Sequence, residues 1–274
     1  NTEGFELDLY RDEADEVFLR SLGYGLLGIV NRLLVLSSSR TESGHLYDWT
    51  SPLACSVVYN DKEAVASLLA NPEVDPNHQE ALGFTPLSLA ICMENEEMVR
   101  LLLATGRVDP NIPDKEERSP LWIAASVGHT EMVMLLLAKK GIDVNSRNEH
   151  NETPLTIASE HGHVAIVELL LAQDGVEPDI ECDRGWTPLH VAVMLSHVKI
   201  VELLLKTNCV NPNCREGDEY TTPLLVTAVQ NKDLDIIELL LANDVLDPNP
   251  KGIRGLNALS QAVAQGSVDI VDRL

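Results

Sequence analysis

Eight histidines and a surplus of carboxylates are the residues with which this 274-residue chain could move protons or hold a metal. Spacing argues against most of them. His129, His163 and His197 recur at steps of 34 residues, which marks one repeated structural position, whereas a metal or acid–base site needs side chains that converge. His150 and His161 fall outside that series and share one stretch with Glu152 and Glu160. A cluster there competes with a solvated polar face, and the polar face is our reading. Gly23-x-Gly25-x-x-Gly28 carries the letters of a dinucleotide fingerprint, but that chemistry needs a strand ahead and a helix start behind. Here an apolar helical segment comes first and Gly25 falls at a turn, so we read a coincidence. No Gly-x-Ser-x-Gly elbow, Walker loop, His-Glu-x-x-His or Cys-x-x-Cys pair occurs. No catalytic or metal-ligating residue and no cofactor is assigned.

Charge narrows the partners. The formal net charge is −23, from 43 acidic and 20 basic residues. Such a surface repels phosphate backbones, which are bound through clustered Lys and Arg, so nucleic acid and anionic membrane are disfavoured. A basic protein or peptide partner fits the charge; so does plain solubility. Five cysteines without zinc-finger spacing favour a reduced, intracellular (cytoplasmic or nuclear) setting. Cys55 and Cys92 read as small apolar residues inside helices, and Cys209 and Cys214 lie close enough to approach each other. The sequon Asn151-Glu152-Thr153 is explained by Thr153 capping a helix. No apolar run is long enough to span a bilayer. The chain begins without Met and stops inside an apolar helical pattern, Val271-Asp-Arg-Leu274, so both ends read as boundaries within a larger protein.

The elements that position these groups are legible in Gly185–Leu205. Thr187 offers an oxygen to cap a helix whose first residue is Pro188, where the missing N–H costs nothing. Leu189 and Ala192 share a face; Ile200, Val201, Leu204 and Leu205 form a second apolar stripe at helical spacing. Helices this short are unstable alone. Their cover is more of the same pattern: Ser51-Pro52-Leu53, Thr85-Pro86-Leu87, Ser119-Pro120-Leu121, Thr153-Pro154-Leu155, Thr222-Pro223-Leu224 and Asn257-Ala258-Leu259, at steps of 34, 34, 34, 34, 35 and 35 residues. The second stripe repeats through Val65, Val99, Val133, Val167, Val201, Ile237 and Val271. Such a period belongs to a solenoid, one supersecondary unit per repeat. Asp-Pro-Asn or near variants join the repeats and supply turn residues.

Thr-Pro-Leu-x-x-Ala, Gly-His at 128–129 and 162–163, and (Val/Ile)-Val-x-Leu-Leu-Leu make this chain resemble the ankyrin repeat family. Segments such as Ala104-Thr-Gly-Arg-Val-Asp-Pro-Asn111 resemble the arrays of filamentous fungal multidomain proteins. The resemblance implies an all-α ankyrin-repeat solenoid of helix-turn-helix units with short β-hairpin fingers. It makes residues 1–49 a degenerate capping repeat and linker, and residues 50–274 seven repeats, the last truncated. It also makes the serial histidines structural, with His190 bonded to loop backbone. In the sixth repeat Pro223 to Leu241 spans 18 residues where the others span 17, implying a bulge or a longer first helix near Val226-Thr227.

Family members bind partners with finger tips, the residue before the Thr-Pro-Leu motif and the last turn of the first helix. Carried onto this chain, that implies noncatalytic recognition of a protein or peptide along the concave face, with Phe84, Met93, Trp122, Glu152, Glu160, His161, Trp186, Met194 and Leu195 as partner-binding residues. For Phe84, Met93, Trp122, Trp186, Met194 and Leu195, packing between neighbouring fingers competes with exposure to a partner. The alternative is an enzyme or small-molecule binder around Trp122, Glu152, Glu160, His161 and Trp186, since a fold does not fix a function. Oligomeric state is left open.

Overall fold

The structure is a computed structural model that describes residues 51–80, 82–213, 222–249 and 257–274. The expected capping repeat over 1–49, the glycine motif at 23–28, Thr50, Cys214, the loop at 215–220 and Thr221 lie outside the described residues. Among the described residues there are fourteen helices and no strand. They fall into two compact units that divide between Ile142 and Asp143.

In the first unit the helices are α1 (Pro52–Val58), α2 (Lys62–Ala70), α3 (Pro86–Cys92), α4 (Glu96–Ala104), α5 (Pro120–Val127) and α6 (Thr130–Leu137). The second holds α7 (Pro154–Glu160), α8 (Val164–Leu171), α9 (Pro188–Met194), α10 (Val198–Lys206), α11 (Leu224–Asn231), α12 (Leu234–Leu241), α13 (Ala258–Ala264) and α14 (Val268–Val271). Each first helix starts as its motif dictates. Ser51, Thr85, Ser119, Thr153 and Thr187 cap α1, α3, α5, α7 and α9 with a side-chain oxygen, ahead of a Pro in the first turn. Three of these caps close into boxes, in which Ser88, Thr156 and His190 return a side-chain bond to the cap N–H. For His190 this corrects the expected partner: Nδ1 accepts the Thr187 N–H at 3.2 Å, within its own repeat. Thr153 is buried in its cap, as the reading of the sequon required.

First helices are apolar nearly all round, because they are covered by their own second helix and by the first helices before and after. Leu87, Ala90 and Ile91 of α3 and Leu189, Ala192 and Val193 of α9 are fully buried. Second helices bury one stripe: Met98, Val99 and Leu102 of α4, Ile200, Val201 and Leu204 of α10. Such elements gain their stability from stacking on neighbours.

The sixth repeat differs from expectation. Pro223 is the N-cap of α11 and no side-chain cap bond forms, whereas Pro opens the helix in the earlier repeats. The extra residue is therefore taken up ahead of the helix and no bulge forms near Val226. Leu225 then stands where Leu189 stands in α9, both fully buried.

The fingers are hairpin turns without paired strands. In the first unit Glu80 N–H donates to Phe84 O (2.9 Å) and Gly83 N–H to Glu80 O (2.8 Å); Asp114 with Arg118 and Glu117 with Asp114 repeat this at 3.0 and 3.1 Å. In the second unit residues 148–152 and 182–186 do the same. This is a type I turn followed by one left-handed residue. The left-handed position is held by Gly83, Glu117, Asn151 and Gly185. A single backbone bond, Lys115 N–H to Leu82 O (3.2 Å) or Asp183 N–H to His150 O (3.0 Å), links each finger to its neighbour within a unit. One bond per finger is too little for a ladder.

Behind the fingers runs a series of side-chain rungs. Asn77 Nδ2 donates to Arg107 O (3.0 Å) while its Oδ1 accepts the Asp109 N–H (2.8 Å); Asn111 donates to Gly141 O (2.8 Å). In the second unit Asn145 bridges Gly175 O and Glu177 N–H, and Asn213 bridges Val245 O and Asp247 N–H. No described helix is long and apolar enough to cross a membrane.

Candidate recognition surface

Large side chains at the finger bases were the first candidates, and in the first unit the structure withdraws two of them. Phe84 is 2 % exposed and Trp122 9 %. Both face Arg118, whose guanidinium lies 5.9 Å from each ring centroid. Arg118 is held in turn by Asp114: Nε and Nη2 each reach Oδ2 at 2.7 Å, and Glu116 lies 2.9 Å from Nη1. Asp114 Oδ1 accepts the N–H groups of Glu116 and Arg118, both at 3.0 Å. The cation expected to meet Trp122 is thus the chain's own. Phe84 and Trp122 pack with Arg118 between fingers and offer no surface to a partner. Trp122 Nε1 is buried without a hydrogen-bond partner among the described residues. Met93 caps the end of α3 and is half-buried.

Cys92, the last residue of α3, belongs to the same cluster. Burial pushes its thiol up to about 12; Arg118 pulls the other way and Asp114 adds to the rise. A group raised from 9.0 to about 12 stabilises the fold fully below pH 9, and that contribution is lost as pH climbs through 12. At pH 8 the native chain is therefore expected to consume a thiol reagent at exposed Cys209 and to leave Cys92 untouched until it unfolds. Mass mapping of the labelled cysteines checks this.

In the second unit the candidates stand at two levels. Glu152 and Trp186 close neighbouring fingers, which Asn151 Nδ2 and Asp183 Oδ1 join at 2.6 Å. Glu152 is engaged locally, its Oε2 accepting from Asn148 Nδ2 at 2.9 Å and its N–H bonding Asn148 Oδ1 at 2.8 Å. Trp186 is half-buried under the Arg184 guanidinium, 5.0 Å from its ring. The second level is the rim of first-helix ends. Glu160 closes α7, and its carbonyl pairs with His197 Nε2 at 3.1 Å. The His161 ring stands exposed, edge-on to His163 at 5.7 Å. Met194 and Leu195 close α9 with 36 % and 47 % of their surface exposed, and Asn231 Nδ2 donates to Met194 O at 3.1 Å. The rim is thus pinned by side-chain-to-carbonyl bonds while its apolar groups face solvent. Among the described residues no group of three or more His, Cys, Asp or Glu could hold a metal ion.

The family model described as ankyrin repeats matches in three copies, over residues 23–148, 95–182 and 145–215. The chain belongs to the ankyrin repeat family. Solved ankyrin structures resemble it along most of its length. One is an ankyrin repeat domain from Acinetobacter baumannii AYE, 29 % identical, covering 70 % of this chain and 97 % of its own, with a TM-score of 0.64. Another is the ankyrin repeat domain of Bcl-3, described as a unique member of the IkappaB protein family, 25 % identical, covering 82 % and 99 %, with a TM-score of 0.71. No curated protein matches the sequence. As an ankyrin array, the chain is of a kind that generally serves as a protein–protein interaction module. Sequence reasoning passed over the Asp114–Arg118 pair. Its signal was an Arg directly before Ser119-Pro120, four residues from an Asp.

Proposed function

We propose that this ankyrin chain is a noncatalytic recognition module. It takes a protein or peptide along the concave face expected of an ankyrin array, through the first-helix ends of its second unit. The observation that carries the reading is the exposure of Met194 and Leu195 on a rim whose backbone is fixed by Asn231 and His197. Exposed large apolar groups on a rigid edge are what an interface core requires. Glu160 and His161 flank them, with Trp186 at the adjoining finger. The acidic surface favours a basic partner and disfavours nucleic acid and anionic membrane. The free thiols Cys55, Cys92, Cys182 and Cys209 suit an intracellular, cytoplasmic or nuclear, setting.

The test is partner capture from lysate by the native chain and by a Met194→Glu, Leu195→Glu variant. Because both side chains are exposed, the variant is expected to keep its circular dichroism and melting temperature. It is expected to lose at least about tenfold in affinity, the scale of a truncated hot spot. Met134→Glu, at an equally exposed residue of the second helix α6, serves as the control and is expected to bind normally. Equal capture by all three chains would move the site to another surface.

A further inference from the structure

The rungs behind the fingers share one chemistry with one exception. At the Asn77 and Asn145 rungs an amide Nδ2 donates to the carbonyl 30 residues on, and Oδ1 accepts an N–H 32 residues on. Asp179 occupies the same position, 34 residues after Asn145. Its Oδ2 accepts the Asn211 N–H, 32 residues on, at 3.2 Å, so half of the rung is made. The other oxygen, Oδ1, is buried without a hydrogen-bond partner among the described residues. By the register of the other rungs it stands where Nδ2 would reach the carbonyl of Cys209. Two acceptors cannot bond without a hydrogen between them.

We propose that this rung is a proton-operated joint between the loop after α8 and the loop after α10. Protonated on Oδ1, Asp179 donates to the Cys209 carbonyl and closes the rung as asparagine does; ionised, it leaves two oxygens opposed and the joint loosened. The groups around Asp179 agree with this. Burial raises its pKa above the ordinary 3.8, Glu181 raises it further, and only the Asn211 N–H works against them. A carboxyl with its folded-state pKa above 3.8 keeps a proton that the unfolded chain has released. Its contribution is therefore full below pH 3.8 and is lost as pH rises through the folded-state value. The only other titratable group at the rung is the exposed Cys209 thiol.

Amide hydrogen exchange of the full chain between pH 4 and pH 7.5, corrected for intrinsic rates, tests the joint. The Asn211 amide is expected to lose about tenfold in protection across that range, the worth of one hydrogen bond. In Asp179→Asn it is expected to stay flat and to match the acidic native value. The reciprocal variant Asn145→Asp is expected to give the Glu177 amide the same pH dependence, which a general acid effect on the fold would not do. Protection at Asn211 that is unchanged by Asp179→Asn, or a Glu177 amide that stays flat in Asn145→Asp, would overturn the proposal.

Discussion

Asp114→Ala is expected to destabilise the chain by about 3–5 kcal/mol, the cost of leaving one partner of a buried ion pair without the other. The carboxylate is almost wholly buried and serves four groups: the Arg118 Nε and Nη2, and the N–H groups of Glu116 and Arg118. Alanine removes the charge that neutralises Arg118, whose side chain is only 11 % exposed, and orphans two amides. Asp114→Asn keeps an acceptor for both amides and loses only the ion pair, for which Glu116 partly substitutes. The neighbouring repeat carries asparagine at this place: Asn148 Oδ1 bonds the His150 and Glu152 N–H groups. Asparagine is therefore expected to cost about half as much as alanine. Thermal melting reads the difference, with a fall on the order of 10 °C for alanine. Equal losses would show that the amide bonds, and not the charge pair, hold the finger.

Gly83→Ala is expected to cost roughly 3 kcal/mol, of which the left-handed backbone at φ +82° accounts for about 1–2 kcal/mol. The remainder comes from the next finger. A Cβ at Gly83 would lie 2.6 Å from Lys115 N and 2.9 Å from Asp114 C, both backbone atoms, and would push apart the Lys115-to-Leu82 bond that joins the fingers. Gly141 has the same handedness, φ +78°, and open space around it, so Gly141→Ala is expected to cost only the backbone part. Urea denaturation of the two variants separates conformation from crowding. Gly83 and Asp114 act on one pair of fingers, so their double variant is expected to fall short of the sum.

The repeat register was legible because seven copies of a cap, a first-helix Leu and a second-helix Val agree. The burial of these residues follows directly from helical spacing. Pro223 misled because one motif was used as the anchor. The second-helix series already held the correct register, since Val201 to Ile237 is 36 residues and Ile237 to Val271 is 34. The fingers carry turn residues at the right places, but whether turns grow into strands depends on bonds between neighbours, and here one bond forms.

Site residues divide the same way. Met194 and Leu195 were legible as apolar groups at a helix end and are exposed. Phe84 and Trp122 were equally conspicuous, but Arg118 settles between them, and a guanidinium's direction cannot be read from its place in a repeat. Asp179 was visible as the odd member of a series of asparagines; only the buried, unpaired oxygen gave that oddity a meaning.

The most direct test of the recognition surface is amide exchange of the full chain with and without its captured partner. Binding through the rim is expected to slow exchange at residues 158–163 and 192–197 while leaving the second helices α8 and α10 unchanged. Protection confined to α8 and α10, with the rim amides exchanging as in the free chain, would contradict it.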